Sequence, residues 1–477
     1  MTRPALGVGL TFHPELADFV ERHAALVDVL ELEPQTLWLP AAAAGAHFSA
    51  PAAAMQRLAD YPQAKLVHSV GTPVGGTRLG DPRQLPLLRE AIARLGAPWC
   101  SEHLSFNVAG GADGQFFTSF MLPPRQTPDG VRCAAASVRE LAGLLGAPLA
   151  IETGVSYLRP RQDELRDGEF VAAVAEAAGC GILLDIHNIW TNELNGRQSI
   201  ASYLDDLPLE RVWELHLAGG QEHAGFWLDA HSGAIPADVL RVAGEVLRWT
   251  PNVGAVIFEL MPEQVAELGD DGLRRQLEAM HELWDSRPSP SHAPPSPARV
   301  QPSIVAAPDD DGAADVRAWE DTLGALAIGL DPDGPLAAEL AADPGLGVVR
   351  TMVESARAGS LVTSLRLSMR LLLLQQGEDG TRALMQGFWA TAPPEPFAGD
   401  EGLAFAAYLA RTPLELPHLD EVLSFELALL RASISGESTT VRFAADPAQV
   451  LGALASGRMP EEVTAGDFAF EVAPQQG

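Results

Sequence analysis

The residues of this 477-residue chain that could do chemistry recur at one kind of place, near the end of short apolar runs. The run at 65–71 carries His68, that at 98–106 Glu102 and His103, and that at 148–154 Glu152. The runs at 180–188, 211–219 and 255–260 carry Asp185, His187 and Asn188, then Glu214 and His216, then Glu259. A further segment, WLDAHSG, adds Asp229 and His231. Imidazoles, carboxylates and a carboxamide brought together are too polar to fill a core, because unpaired groups are costly to bury and carboxylates repel one another. Metal cations resolve both problems. A donor set of nitrogen and oxygen without nearby cysteine suits iron, manganese or zinc, and the supply exceeds one ion's needs, so two or three carboxylate-bridged metals are expected.

Blander readings remain for some candidates. His13, His23, His47 and His223 stand alone and read as surface or satisfied residues. Asp229 and His231, taken alone, also fit an ordinary turn. On a strand, the adjacent His187 and Asn188 would face opposite sides, so only one of them would face a common site. Glu102 and His103 pose the same choice, with His103 read as ligand and Glu102 as the group that orients it.

The elements that must position these residues follow from the rhythm of the chain. Eight strand-length runs, at 5–10, 27–34, 65–71, 98–106, 148–154, 180–188, 211–219 and 255–260, alternate with helical patterns such as 82–96, 129–146, 169–179 and 236–249. This predicts an α/β fold, a TIM (β/α)₈ barrel, with the ionisable residues at the C-terminal ends of its strands, where such barrels build their sites. Residues 286–314, rich in Pro, Ser and Ala, read as a linker between a barrel domain at 1–285 and a smaller, mainly helical (α+β) domain at 315–477. The latter shows helical patterns and a strand-like pair, STTVRFA and GDFAFEVAP, around a last helix.

Composition excludes several functions. A net charge of −31 repels phosphate backbones and anionic bilayers, so neither nucleic acid nor membrane is an expected partner. Lys65 is the sole lysine, which rules out a Gly-Lys-Ser/Thr phosphate loop. The unpaired spacing of Cys100, Cys133 and Cys180 and the lack of a signal-like or membrane-length apolar run point to a reduced, cytoplasmic protein.

The ordered motifs GVGL (7–10), VHSVG (67–71), SEHLSF (101–106), IETGVSYL (151–158), LLDIHNIWTNELNG (183–196), ELHLAGG (214–220), LDAHSG (228–233) and FEL (258–260) resemble those of the multinuclear non-haem iron-dependent oxidases (MNIOs), TIM-barrel enzymes that modify ribosomally made peptides. The resemblance covers roughly residues 5–285. It implies iron ligands at His68, His103, Glu152, Asn188, His216, Asp229, His231 and Glu259, with Asp185 ligating or supporting. It implies as cofactors two or three iron ions in mixed Fe(II)/Fe(III) states with O₂ as co-substrate, and as partner a Cys-containing precursor peptide oxidised at cysteine. His68, His103, Glu152, Asp185 and His216 are expected to carry that catalysis. The chain departs from the family's pattern at Gln35-Thr36, Thr153 and Gly220, in loops that would handle substrate.

The stretch 405–433 resembles the peptide-recruiting partners of these oxidases, so a recruiter fused in cis is expected, with an edge strand within 438–443 open to a leader peptide. A generic helical domain, its leucines at 371–374 merely core, is the alternative. For the whole chain the alternatives are a xylose-isomerase-like or endonuclease-like divalent-metal barrel, and a non-catalytic metal- or peptide-binding scaffold.

Overall fold

A computed structural model of the chain describes residues 3–40, 48–111, 114–288, 310–435 and 437–473. Eight parallel strands close into a barrel: β1 (Gly7–Thr11), β2 (Val29–Leu32), β3 (Ala64–Ser69), β4 (Cys100–His103), β5 (Leu149–Glu152), β6 (Gly181–Asp185), β7 (Val212–Ala218) and β8 (Ala255–Glu259). Each strand pairs with its chain neighbours, and β1 pairs with both β2 and β8, so no edge is left. Helices α1 (Ala17–Arg22), α2 (Ala52–Asp60), α3 (Leu85–Leu95), α4 (Pro128–Leu145), α5 (Asp167–Ala178), α6 (Ile186–Leu194), α7 (Ile200–Asp206), α8 (Ala237–Val246) and α9 (Val265–Ser286) accompany it. This is the (β/α)₈ barrel that the spacing of runs predicts.

Period-two alternation builds the interior in layers. Val29 and Glu31, Leu66 and His68, Ala150 and Glu152, Leu183 and Asp185, and Ile257 and Glu259 are each two residues apart and share the inward face. The lower members, with Trp99 and Ala255, form a fully buried apolar plug. The intervening Leu30, Val67, Ile151, Leu184, Leu215 and Phe258 turn outward into the core shared with the helices. Metal-competent residues therefore stand directly on a packed hydrophobic floor.

Beyond the barrel come α10 (Asp310–Ala327), α11 (Pro335–Ala341), α12 (Gly345–Ser364), α13 (Arg366–Trp389), α14 (Ala398–Leu409), α15 (Leu419–Ser435), β9 (Thr439–Ala445), α16 (Pro447–Ala455) and β10 (Ala465–Val472). β9 and β10 pair antiparallel. Between α12 and α13 stands Leu365, whose φ of −129° is not helical. In the leucine run at 371–374, Leu371 and Leu372 are fully buried, whereas Leu373 and Leu374 are 46% and 38% exposed. The ends of the expected linker need correction: Ser286 closes α9, and residues 310–314 open α10. Residues 289–309, and with them His292, lie outside the described residues, as does His47.

Helices α10 to α12 pack on the barrel. Trp319, Leu323, Leu340, Leu346 and Val349 share one apolar cluster with Phe106, Leu122, Tyr157 and Leu228 of the barrel's βα loops. A buried ionic latch accompanies it. Glu320 accepts from Thr77 N at 2.5 Å, Thr77 Oγ1 at 2.6 Å and Arg78 Nη1 at 2.8 Å, while Asp321 accepts from Gly110 N at 2.6 Å. Removing the Glu320 carboxylate strands these donors, so Glu320→Ala should destabilise the full chain by about 2–3 kcal/mol, read as a lower urea midpoint. An unchanged midpoint would show that the latch contributes nothing.

Candidate metal centre

The upper inward layer gathers into three overlapping groups: His68, His103 and Glu152; Glu152, Asp185, His216 and Glu259; and Glu31, Glu214 and His216. Within each group one donor atom per residue lies within 4.8 Å of all the others. Strand register explains the grouping, since His103 pairs with Glu152 across β4 and β5, and Asp185 with His216 across β6 and β7. Glu152 Oε2 is 3.2 Å from His68 Nε2 and 3.0 Å from His103 Nε2. His216 Nδ1 is 3.1 Å from Glu259 Oε1, and its Nε2 is 2.9 Å from Glu31 Oε1.

These contacts are short, yet many are not aligned as hydrogen bonds. Glu152 Oε2, Asp185 Oδ2, Glu259 Oε2, both His216 ring nitrogens and His231 Nε2 are buried without a hydrogen-bond partner. Buried polar atoms are normally paired, so a convergent set of orphans fits donors aimed at cations. The supporting atoms, by contrast, are well held. His68 Nδ1 meets Ser101 Oγ at 2.9 Å. Glu102 accepts from Ser69 Oγ, Thr72 N, Thr72 Oγ1 and His103 N at 2.6, 2.9, 2.8 and 2.8 Å, which fixes it beside His103 as a satisfied support.

Electrostatics carries the same message. Burial alone would lower the His68 pKa, but Glu152 overrides it and raises it to about 10. Burial would likewise lower His216 and His231, and neighbouring carboxylates push both well above the usual imidazole value. Burial, then Asp229, Glu259 and Glu152, drive Asp185 well above the carboxylate range; burial and Glu31 lift Glu214 to about 8. Glu259 and Asp229 are held low by imidazoles despite their burial. Without metal, protons supply the positive charge that cations would otherwise bring.

A third set of donors comes from loops. Asp229 Oδ1 lies 3.0 Å from His231 Nε2 and 3.1 Å from His187 Nδ1. His231 has a φ of +44°, an uncommon conformation for a non-glycine residue, and is pinned by Met261 N donating to its carbonyl at 2.9 Å. The strand argument for His187 and Asn188 is corrected here: β6 ends at Asp185, and both residues lie in the first turn of α6. Asp185 caps that helix by accepting Asn188 N at 2.8 Å, which leaves its Oδ2 free. Asn188 Nδ2 donates to Thr153 O at 3.1 Å, and its Oδ1 is buried without a hydrogen-bond partner. His187 instead braces Asp229 and receives Trp227 Nε1 at 3.2 Å. At Gly220 a Cβ would come within 2.7 Å of His187 Nε2 and 2.6 Å of Trp227 Nε1, so this pair occupies the space a side chain would need.

Sequence reasoning missed Glu31 and Glu33. The VLELE alternation at 29–33 places both on the face of Val29, and that was the available signal. Glu33 lines the cavity above the centre, and burial raises its pKa. Glu214, noted but not chosen as a ligand, receives Trp99 Nε1 at 2.9 Å. Lys65 is tied at the strand's opposite end to the carbonyls of Tyr61 and Gln63, both at 2.6 Å.

The donors open onto a cavity of about 390 Å³, lined by His68, His103, Asp229, His231 and Glu259 together with the apolar Leu104, Phe117, Phe120, Met121 and Tyr157. A second cavity of about 760 Å³ lies between the barrel rim and α12, α14 and α15, and shares Val70, Asn107 and Phe117 with the first. Gln35 and Thr36 line this second cavity. Thr153 is buried, and its hydroxyl accepts Asp185 N at 2.9 Å. Cys100, Cys133 and Cys180 are free and buried. Among the described residues no helix is long and apolar enough to cross a membrane.

Fold and donor set together define a (β/α)₈ barrel with clustered imidazole and carboxylate side chains at its C-terminal mouth. The chain belongs to the family of RiPP precursor modification enzymes MbnB/TglH/ChrH, whose sequence profile matches residues 7–264. It is 29% identical over 287 residues to a UPF0276 protein of Streptomyces avermitilis, covering 60% of this chain and only 56% of that relative's length. It is 32% identical over 198 residues to a UPF0276 protein of Chromobacterium violaceum, covering 42% of this chain and 70% of that one. Among solved structures it is similar to the 3-keto-D-glucoside 4-epimerase YcjR of E. coli at a TM-score of 0.37 and 14% identity, covering 57% of this chain and 98% of the epimerase. At that distance the fold rests on the closure of this barrel itself.

Glu152 is shared between two donor groups, so Glu152→Gln, which keeps its volume, should lower bound metal by one or more ions per chain. Elemental analysis of the purified variant beside the parent checks this; equal stoichiometry would remove Glu152 from the centre.

Proposed function

We propose that this chain is an iron- and O₂-dependent oxidase that modifies cysteine residues in a ribosomally made precursor peptide. The observation that carries the reading is the bridged nitrogen and oxygen donor set, with its buried unpartnered atoms, at the mouth of a barrel belonging to a peptide-modifying family. His68, His103 and Glu152 would hold one iron, and Glu152, Asp185, His216 and Glu259 a second. Asn188, Asp229 and His231 would hold a third. Iron, when bound, supplies redox chemistry: electrons leave the substrate cysteine and reduce dioxygen.

The chain's own residues set the conditions for that chemistry. Ser101 and Glu102 orient the imidazoles of His68 and His103. Phe117, Phe120, Met121 and Tyr157 give the cavity an apolar wall that excludes water and strengthens electrostatic attraction to the substrate thiolate. Glu33, with its raised pKa, is placed to hold a proton beside that thiol. None of the chain's cysteines lines the cavity, in keeping with a reacting thiol that arrives on another molecule.

The region from α10 onward, which includes the expected domain at 315–477, would recruit the peptide in cis. Among the described residues β9 and β10 form a sheet of two strands, so an extended leader segment could add at its edge. The second cavity, which shares Val70, Asn107 and Phe117 with the first, would lead the core peptide to the metals. The excess of acidic residues disfavours nucleic acid, and the chemistry suits a reduced cytoplasm.

Anaerobic purification, metal analysis and addition of O₂ with a Cys-containing peptide encoded beside the gene test this reading. Two or more irons per chain, O₂ uptake and a mass change at cysteine are expected, all lost in His68→Ala. Zinc alone, with no O₂ uptake, would overturn it.

A further inference from the structure

The region beyond the barrel packs on the loops that carry part of the donor set, and the link runs through one side chain. Tyr157, on the loop after β5, is 5% exposed and lies among the residues that join α10–α12 to the barrel. Its hydroxyl oxygen accepts the backbone N–H of Asp229 at 3.2 Å. Asp229 Oδ1 in turn meets both His231 and His187. Tyr157 thus bridges the loop that follows Glu152 and the loop that supplies Asp229 and His231.

The other side of Tyr157 is set by α12. At Gly345, the first residue of that helix, a Cβ would lie 2.0 Å from the Tyr157 carbonyl oxygen and 3.0 Å from Leu158 N, so the helix start rests directly on the loop's backbone. The contact is clamped at both ends. Asp343 accepts Gly345 N at 2.8 Å and Arg159 N at 2.9 Å, and Arg161 pairs with Glu339 at 2.5 Å. Leu228, next to Asp229, is 3% exposed in the same apolar cluster as Leu346 and Val349. Two routes, one through the Tyr157 hydroxyl and one through Leu228, therefore lead from α12 to the residue that holds His231.

We propose that Tyr157 is a positioning residue through which the start of α12 fixes the Asp229–His231 loop, so that the region beyond the barrel completes the metal centre. This deepens the metal-centre reading above and rests on it. A loop that carries a left-handed histidine is not held by its own backbone preference, and an outside support of this kind holds a ligand at a fixed distance. The region would then set metal retention as well as peptide affinity.

Tyr157→Phe keeps the ring in its packing and removes only the acceptor for Asp229 N. In the full chain loaded with Fe(II) under anaerobic conditions, it should release its most weakly held ion to a chelator about 10-fold faster than the parent, as loss of an outer support commonly does. The metal-free forms of parent and variant should melt together, which separates a lost support from a damaged fold. Gly345→Val, which forces α12 and Tyr157 apart, should act in the same direction. If it fails to fold, Tyr157→Phe alone decides. Equal release rates from the parent and Tyr157→Phe would overturn the inference while leaving the centre intact. A parent that binds no metal would instead overturn the reading on which it rests.

Discussion

A closed barrel that turns Glu31, Glu152, Asp185, Glu214 and Glu259 inward, beside His68 and His216, must balance that charge away from water. The cost of isolated buried carboxylates is large and their mutual repulsion adds to it. Protons offset it in part, which is why burial and neighbouring carboxylates drive Asp185 and Glu214 upward and carboxylates raise the imidazoles. Cations satisfy the same atoms more completely, because Asp185 Oδ2, Glu259 Oε2 and the ring nitrogens of His216 otherwise lack aligned partners. The apolar plug of Val29, Leu66, Trp99 and Ile257 holds these groups at fixed positions from below.

The remaining architecture follows from closing that site from above. The paired strands Phe106–Gly111 and Gly114–Leu122, the loop through Tyr157 and the loop through Asp229 rise from the mouth of the barrel, and each meets α10, α11 or α12. Glu320 and Asp321 draw α10 onto Thr77, Arg78 and Gly110, and Asp343 holds the start of α12 against the chain at Arg159. The helices beyond build a core of their own from Leu361, Leu371, Phe388 and Phe405. The second cavity lies along the seam between these bodies of structure, a position where ligand sites commonly form, whereas the first is lined by barrel residues alone.

The barrel was legible because its signals are local. Eight apolar runs of strand length, six of them ending near a chemical group, suffice to place His68, His103, Glu152, His216 and Glu259 on one rim. What stayed hidden depended on where a strand stops. Asp185 was read as one of three polar residues on a strand, but it ends β6 and caps α6, which sends His187 to Asp229 and leaves Asn188 with a free oxygen. Glu31 falls in the strand-length run at 27–34, but nothing along the chain sets it beside the distant histidines. Only the register of β2 beside β3 and the approach of His216 show it buried.

The sequence by itself determined the barrel, the inward parity of its polar residues and the family, since alternation and motif order are properties of neighbouring residues. Tertiary structure alone decided which donors lie close together, which imidazole braces Asp229, and that α12 rests on Tyr157. Those outcomes depend on distances between groups far apart in the chain, set by strand stagger and by the docking of α10–α12 on the mouth of the barrel. No periodicity along the chain encodes them.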